Sequence, residues 1–410
     1  MKINFLTSKI TLIVILLFIC TKSFCQDIRL ANRNEIKPGI NQTQRYFPEL
    51  KNKKIAVIAN QASTFINGTH LVDSLFNLGY QLNRIFCPEH GFRGKADAGA
   101  KVENGKDSKT GIPIISLYGK NKKPQQNDLK DLDLIIFDLQ DVGVRFYTYI
   151  SSLKYVMEAC AEYNIKLIIL DRPNPNGFYV DGPILKKDCQ SFVGTLPIPI
   201  VYGLTIGELS LMIEGENWRE NHYTDLNLKV INNSNYAHNL IYQLPIKPSP
   251  NLPNWQSVYL YPSLCLFEGT IISVGRGTPK PFQIFGHPKL SKLKNLNEYA
   301  KKISFVPKST PGASLHPKLE DKLCYGYDLV NYANHYKSLP GKLNLEYLIK
   351  TYKYLKRDKN FFNKFIEKLV GDKKVVEELK RGKSSTQIKK LWQSELDKFK
   401  IKRQKYLMYP

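Results

Sequence analysis

From about residue 53, short apolar runs alternate with helix-like stretches. Residues 54–59 (KIAVIA) predict a strand, 69–78 a helix and 82–87 a second strand. Residues 112–117 predict a third strand, and 132–139 (LDLIIFDL) a fourth that is apolar almost throughout. Leu153, Val156, Met157 and Cys160 recur at i, i+3, i+4 and i+7, which puts them on one face of a helix over 149–163. Residues 166–170 (KLIIL) predict a fifth strand and 205–214 a further helix. Apolar strands separated by helices imply a parallel sheet covered on both faces, so the first part of the chain is expected to be a Rossmann-like α/β layer. The alternation stops near residue 235, where Pro245, Pro248, Pro250, Pro253 and Pro262 follow in quick succession. Helices rich in Lys, Leu, Tyr and Phe then return. The expected organisation is a Rossmann-like domain over 37–235 and a smaller auxiliary α+β domain over 236–410.

The amino terminus departs from this pattern. Lys2 and Lys9 precede an apolar run over 10–20, too short for a comfortable membrane span, and Ser23 and Cys25 supply small residues before Gln26. This reads as a secretory signal over 1–25, cleaved before Gln26, and predicts an exported protein of a bacterial-type envelope without stable membrane insertion. The alternative is an uncleaved anchor. Five cysteines follow it, Cys87, Cys160, Cys189, Cys265 and Cys324, with no CxxC or Cys/His cluster, so neither a metal site nor a dense disulfide framework is expected.

Composition adds a charge question. Among 410 residues, 60 Lys plus Arg against 36 Asp plus Glu give +24, and 24 Tyr and 20 Phe mark a folded chain. The proposed signal carries three lysines and no acid, so +21 survives its removal. More than half of that lies beyond residue 345, interleaved with apolar residues at helical spacing, as on a solvated helix face. Without a zinc-finger spacing, an RNP-like motif or an unbroken basic tract, no nucleic-acid partner is expected.

In open parallel sheets, ligands bind outside the carboxyl ends of the strands. Four of the five predicted strands end in polar groups: Asn60-Gln61, Pro88-Glu89-His90-Gly91, Asp138-Leu139-Gln140-Asp141, and Asp171-Arg172-Pro173-Asn174. The first strand is not followed by GxGxxG, and there is no P-loop, GxSxG elbow or HExxH, so no nucleotide cofactor or catalytic metal is expected. Carboxylates, amides, arginines and aromatics remain, a set suited to binding sugars and cleaving glycosidic bonds, where one carboxyl group must deliver a proton. Glu89 is the leading candidate acid. It lies between Phe86-Cys87-Pro88 and His90-Gly91-Phe92, and partial desolvation favours a protonated carboxyl group. Its structural alternative is to cap the next turn or pair with Arg93. Asp141 is the candidate second catalytic group. Arg145, Tyr147 and Tyr149 follow at two-residue spacing, with Arg145 either clamping a substrate carboxylate or pairing with Asp141. Asp171 is expected to order its own loop, and Glu208 to close a capping box with Thr205.

These motifs carry a family resemblance. Glu89-His90-Gly91-Phe92-Arg93-Gly94, Ser116-Leu117-Tyr118-Gly119, residues 137–150 (FDLQDVGVRFYTYI), 170–175 (LDRPNP), 202–208 (YGLTIGE), 248–253 (PSPNLP) and 267–278 (FEGTIISVGRGT) resemble, in this order, the NamZ-type exo-β-N-acetylmuramidases. The resemblance runs from about residue 37 to the end. It implies a Rossmann-like catalytic domain with an auxiliary domain, an active cleft between them, and release of terminal N-acetylmuramic acid from peptidoglycan fragments. The family's catalytic glutamate falls on Glu89. The lactyl carboxylate of such a substrate needs a cation, for which Arg145, Arg172 and Arg276 are the candidates. With Asn60, His90, Arg93, Gln140, Tyr147, Tyr149, Asn174, Asn251 and Glu268 they make up the expected substrate-binding set. A non-catalytic muropeptide-binding protein of the envelope is the competing expectation.

Overall fold

Alternate side chains of the central strands enter two different cores, and this fixes the architecture. In β2 (Ile55–Ala59), Ala56 and Ile58 join one core while Ile55, Val57 and Ala59 join the other. The same division separates Phe86 from Ile85 in β3 (Leu82–Cys87), and Ile135 and Phe137 from Leu134 and Ile136 in β6 (Leu134–Asp138). A sheet apolar on both faces must be covered on both. The computed structural model, which describes residues 28–32, 35–89, 91–93, 104–220, 224–294, 296–335 and 341–410, shows how. Helix α1 (Leu71–Asn77) lies on one face through Leu71, Val72 and Leu75. Helices α2 (Tyr149–Glu162) and α3 (Ile206–Gly215) lie on the other through Leu153, Met157, Leu209 and Met212.

Among the described residues the sheet has seven strands. Beyond those named they are β4 (Gly105–Lys106), β5 (Pro113–Ser116), β7 (Lys166–Leu170) and β8 (Leu228–Ile231), in the order β4-β5-β3-β2-β6-β7-β8. All pairings are parallel except that of the short edge strand β4 with β5. Counting the parallel strands by their place in the chain gives 3-2-1-4-5-6, the Rossmann order, with the reversal between β2 and β6. The expected α/β layer is therefore present, with the strands β4 and β8 added. Only Ile231 of β8 is buried, which is why its sequence carries so weak a strand pattern.

A smaller carboxyl-terminal domain packs on the α2/α3 side. Its strands β10 (Ile284–His287), β11 (Lys301–Phe305) and β12 (Cys324–Asp328) form an antiparallel sheet in the order β10-β12-β11, joined by helices that include α4 (Trp255–Leu264), α5 (Glu346–Tyr354) and α6 (Phe365–Val370). Phe267, Phe285, Tyr347 and Ile366 of this domain belong to the same continuous core as Phe137 and Met157. A two-stranded ribbon, β1 (Arg29–Leu30) with β9 (Leu240–Ile241), lies apart from both sheets. Cys87, Cys160, Cys189, Cys265 and Cys324 are all buried thiols, with Cys160 on the inward face of α2 as its spacing predicts. Among the described residues, no helix is long and apolar enough to cross a membrane. The signal expectation for 1–25 lies outside the described residues.

Candidate active site

Strand β3 ends at Cys87, and the chain turns at once. The amide of Gly91 donates to the carbonyl of Pro88 at 3.2 Å with φ of +73° at the glycine, a conformation that a side chain would strain. This turn presents Glu89 to a cavity beyond the carboxyl edge of the sheet. Phe146, Tyr147, Thr148 and Tyr149, from the segment leading into α2, form one wall. Ser249, Asn251, Leu252, Tyr261, Arg276 and Phe282, from the second half of the chain, form the other. The Thr148 hydroxyl donates to Glu89 Oε2 at 3.3 Å.

The aromatic wall is held from behind. Tyr147 and Tyr149, with ring centroids 4.7 Å apart, donate to the carbonyl of Pro248 at 2.8 and 3.4 Å. Asn60, at the end of β2, donates from Nδ2 to the Tyr149 hydroxyl at 2.7 Å, and its Oδ1 accepts from the amide of Ala62 at 2.9 Å. Asn60 is thus a positioning residue one layer behind the cavity. Burial raises the pKa of both phenols, so the wall is neutral. Tyr261 packs edge-on against Phe146 and Phe282, with centroids 5.4 and 4.9 Å away.

The cationic feature of the cavity is Arg276. Its Nε donates to Glu268 Oε1 at 2.6 Å, and its guanidinium lies 4.9 Å from the ring centroid of Phe282. Lys318 stands close by, donating to the carbonyls of Thr270 at 2.6 Å and Phe267 at 3.1 Å. Burial pushes the Glu268 carboxyl group up, but the two cations outweigh it and leave its pKa below the ordinary value. Two cations against one carboxylate leave this end of the cavity with a positive excess, while Glu89 marks the other charged position.

The structure thus brings Glu89, Tyr147, Tyr149, Asn251 and Arg276 to one cavity, with Asn60 and Glu268 behind them. Other expected site residues are committed elsewhere. Asp141 does not line the cavity: Gly143, with φ of +74°, turns the chain so that this carboxylate is buried against the Tyr202 hydroxyl and the Gly143 amide, the latter at 2.6 Å. Arg145 does not line the cavity and does not pair with Asp141. Its fully buried guanidinium donates to the carbonyls of Pro183, Ile198, Leu369 and Val370 at 2.7 to 2.9 Å. Arg172 makes a bidentate pair with Asp138, at 2.6 and 2.9 Å, that ties the ends of β6 and β7 together. Arg93 is held by Asp107 and Asp73 rather than by Glu89. Gln140 donates to the carbonyls of Asp141 and Pro173, and Asn174 to that of Leu204. Glu208 closes the expected capping box with Thr205, whereas the Asp171 carboxylate, expected to order its own loop, accepts instead from the Gly207 amide, Asn233 and Tyr409. His90 lies outside the described residues.

Sequence reasoning missed Phe146, Thr148, Ser249, Leu252, Tyr261 and Phe282. Thr148 and Ser249 lie within motifs already singled out by resemblance. Tyr261 and Phe282 enter the cavity only because the second half of the chain folds over the sheet edge, and no local pattern announces that.

Comparison with known proteins supplies the rest. The amino-terminal family model of the exo-β-N-acetylmuramidase NamZ matches residues 55–256, and the carboxyl-terminal model matches 259–409. The peptidoglycan β-N-acetylmuramidase NamZ of Bacillus subtilis is 37% identical over 392 residues, which covers 92% of each chain. Crystal structures of two DUF1343 family proteins from Bacteroides fragilis superpose with TM-scores of 0.81 and 0.79, at 46% and 28% identity. They cover 91% and 92% of this chain, and 99% and 100% of theirs. With both family models matched in order along one continuous fold, this chain belongs to the NamZ family of exo-β-N-acetylmuramidases.

Proposed function

We propose that this chain releases β-linked N-acetylmuramic acid from the non-reducing ends of peptidoglycan fragments, with Glu89 as the general acid and Arg276 receiving the lactyl carboxylate. That it is a glycosidase follows from its family; the residue roles rest on the cavity. The observation that carries them is the placement of Glu89 and Arg276 in one aromatic-walled cavity at the carboxyl edge of a Rossmann-type sheet. In this reading Glu89 gives its proton to the glycosidic oxygen, the bond from that oxygen to C1 breaks, and water completes the hydrolysis at C1. Tyr147, Tyr149 and Tyr261 cover the apolar face of the sugar and exclude bulk water.

A cation developing at C1 needs an electron-rich partner. Among the described lining residues Glu89 is the only acidic side chain. Sugars that carry a 2-acetamido group offer a second route, in which the substrate's own acetamido oxygen serves as nucleophile, and a cavity of this composition fits that route.

The export reading rests on the basic and apolar pattern of residues 2–26 and places the activity in the envelope, where released N-acetylmuramic acid would be available for recycling. Sequencing the amino terminus of the secreted protein should give Gln26. The activity is tested with a chromogenic β-N-acetylmuramide and the Glu89→Gln variant, which should be slower by roughly 10²- to 10⁴-fold. Equal release by both proteins would remove Glu89 from the mechanism. Tight binding with no release by either would favour the non-catalytic muropeptide binder.

A further inference from the structure

Glu89 has a neighbour that does not line the cavity. Tyr118 lies two residues beyond β5 as Glu89 lies two beyond β3, and the parallel register of Cys87 with Ser116 sets the two side by side at the sheet edge; partial burial together with the Glu89 charge raises the phenol to about 12. From Tyr118 the aromatic surface continues outward. The Phe192 ring lies 6.1 Å away and is inclined by 59°, and Tyr155 lies parallel to Phe192 at 6.3 Å. All three are half-buried, and none belongs to a core cluster, although the adjacent Val193 packs against one.

Phe192 is fixed in place. It occupies the tip of a turn closed by reciprocal backbone bonds between Ser191 and Gly194, at 3.0 and 2.9 Å. Its own carbonyl accepts from the hydroxyl of Ser151 on α2 at 2.8 Å. The polar cover on the ring is the Lys122 ammonium, 4.8 Å from the centroid. A cation–π contact at a partly exposed site is weak, so this ammonium is readily exchanged for another ligand.

We propose that Tyr118 and Phe192, with Lys122 at the rim, form the binding site for the sugar on the leaving-group side of the scissile bond, an N-acetylhexosamine. The inference rests on the reading of Glu89 as general acid. A general acid must touch the oxygen that joins two sugars. If one sugar fills the cavity on one side of Glu89, the departing sugar lies on another, and Tyr118 is the aromatic group at the neighbouring strand end, outside the cavity lining. The pyranose lays its C–H face on the Phe192 ring, while the Lys122 ammonium moves from the ring to a sugar hydroxyl.

The test compares two substrates that share a glycone: the N-acetylmuramyl-β-1,4-N-acetylglucosamine disaccharide and methyl β-N-acetylmuramide, whose leaving group is too small to reach the ring. Aromatic packing worth up to about 1.5 kcal/mol corresponds to roughly tenfold in affinity. In Phe192→Ala, kcat/KM for the disaccharide should therefore fall about tenfold more than for the methyl glycoside, mainly through KM. Phe192→Tyr should restore it. Free N-acetylglucosamine should inhibit the wild type more strongly than Phe192→Ala. A parallel fall for both substrates, or no change for either, would overturn the site while leaving the Glu89 reading intact. Failure of the wild type to cleave either substrate would remove both.

Discussion

The guanidinium of Arg145 lies 2.7 Å from the main-chain oxygen of Val370, the last residue of α6 in the carboxyl-terminal domain. Its other bonds run to Leu369 beside Val370 and to Pro183 and Ile198 of the first half of the chain. Carbonyls at a helix carboxyl end carry partial negative charge, so a cation is satisfied there without a carboxylate. Arg145 therefore joins the two halves of the molecule behind the cavity.

Replacing it should cost stability before it costs chemistry. Arg145→Met leaves four buried carbonyls without their donor, and we expect a loss of about 3 kcal/mol or more by urea unfolding. Lysine, a point charge without the planar fork, should recover only part of it. Muramidase activity per folded molecule, measured well below the melting temperature, should stay within a few-fold of wild type. Full stability with lost activity would place this guanidinium on the substrate instead.

Asp141 offers a test by pH. Among the described residues its buried Oδ1 has no hydrogen-bond partner, and burial raises its pKa to about 6 despite the bonds from Tyr202 and Gly143. In an unfolded chain the value is about 3.9. A carboxyl group with a raised folded pKa binds its proton more tightly when folded. Its contribution to stability is therefore greatest below about pH 4 and is lost as the pH rises through about 6. Thermal melts of the wild type and Asp141→Asn should diverge across that window, the variant becoming the more stable by roughly 2–3 kcal/mol at pH 7. The variant should also keep activity within a few-fold, since Asp141 does not line the cavity; a hundredfold loss would return it to the chemistry.

Arg276 is expected to behave differently from Arg145. Charge-assisted hydrogen bonds are worth about 1.5–3 kcal/mol, so Arg276→Met should raise KM for an N-acetylmuramide by roughly tenfold to a hundredfold, with kcat changed far less. The corresponding N-acetylglucosaminide lacks the lactyl carboxylate, and the variant should lose its preference between the two substrates. Glu268→Gln should show the same trend more weakly, because it removes only the brace on the guanidinium. An equal effect on both substrates would show that Arg276 does not read the carboxylate.

The fates of these side chains explain what the sequence could and could not disclose. The apolar runs of β2, β6 and β7 were legible because burial on both faces leaves an almost unbroken apolar string. Glu89 was legible because it follows a strand end directly, where the sheet itself sets its direction. Asp141 and Arg145 were not, for two reasons. A glycine at φ +74° turns Asp141 toward a tyrosine 61 residues away, and the partners of Arg145 are backbone carbonyls that any sequence could supply. Nor could Tyr261 and Phe282 be placed, since their wall exists only through packing between distant segments.

The carboxyl terminus is held to the sheet edge by a similar buried network. The Tyr409 hydroxyl donates to Asp171 Oδ2 at 2.5 Å and accepts from the amide and the side chain of Asn233 at 2.8 and 3.1 Å. Alongside it the Met408 amide donates to Glu208 Oε1 at 2.8 Å, and the His238 amide to the Pro410 carbonyl at 2.8 Å. The groups that receive this tail are those that cap the first turn of α3, so it acts as a strap on the Rossmann-type domain. Tyr409→Phe removes one oxygen; the Asn233 amide loses its acceptor and Asp171 Oδ2 loses its shortest donor, keeping Asn233 Nδ2 at 3.2 Å, and a group left unsatisfied costs about 1–3 kcal/mol. We expect a loss of at least about 2 kcal/mol by urea unfolding, and a larger one on deletion of residues 406–410. Hydrogen exchange should locate the loosening in β7, the loop after it and α3. If protection were lost in the carboxyl-terminal helices alone, with α3 unchanged, the tail would not be bracing the Rossmann-type domain.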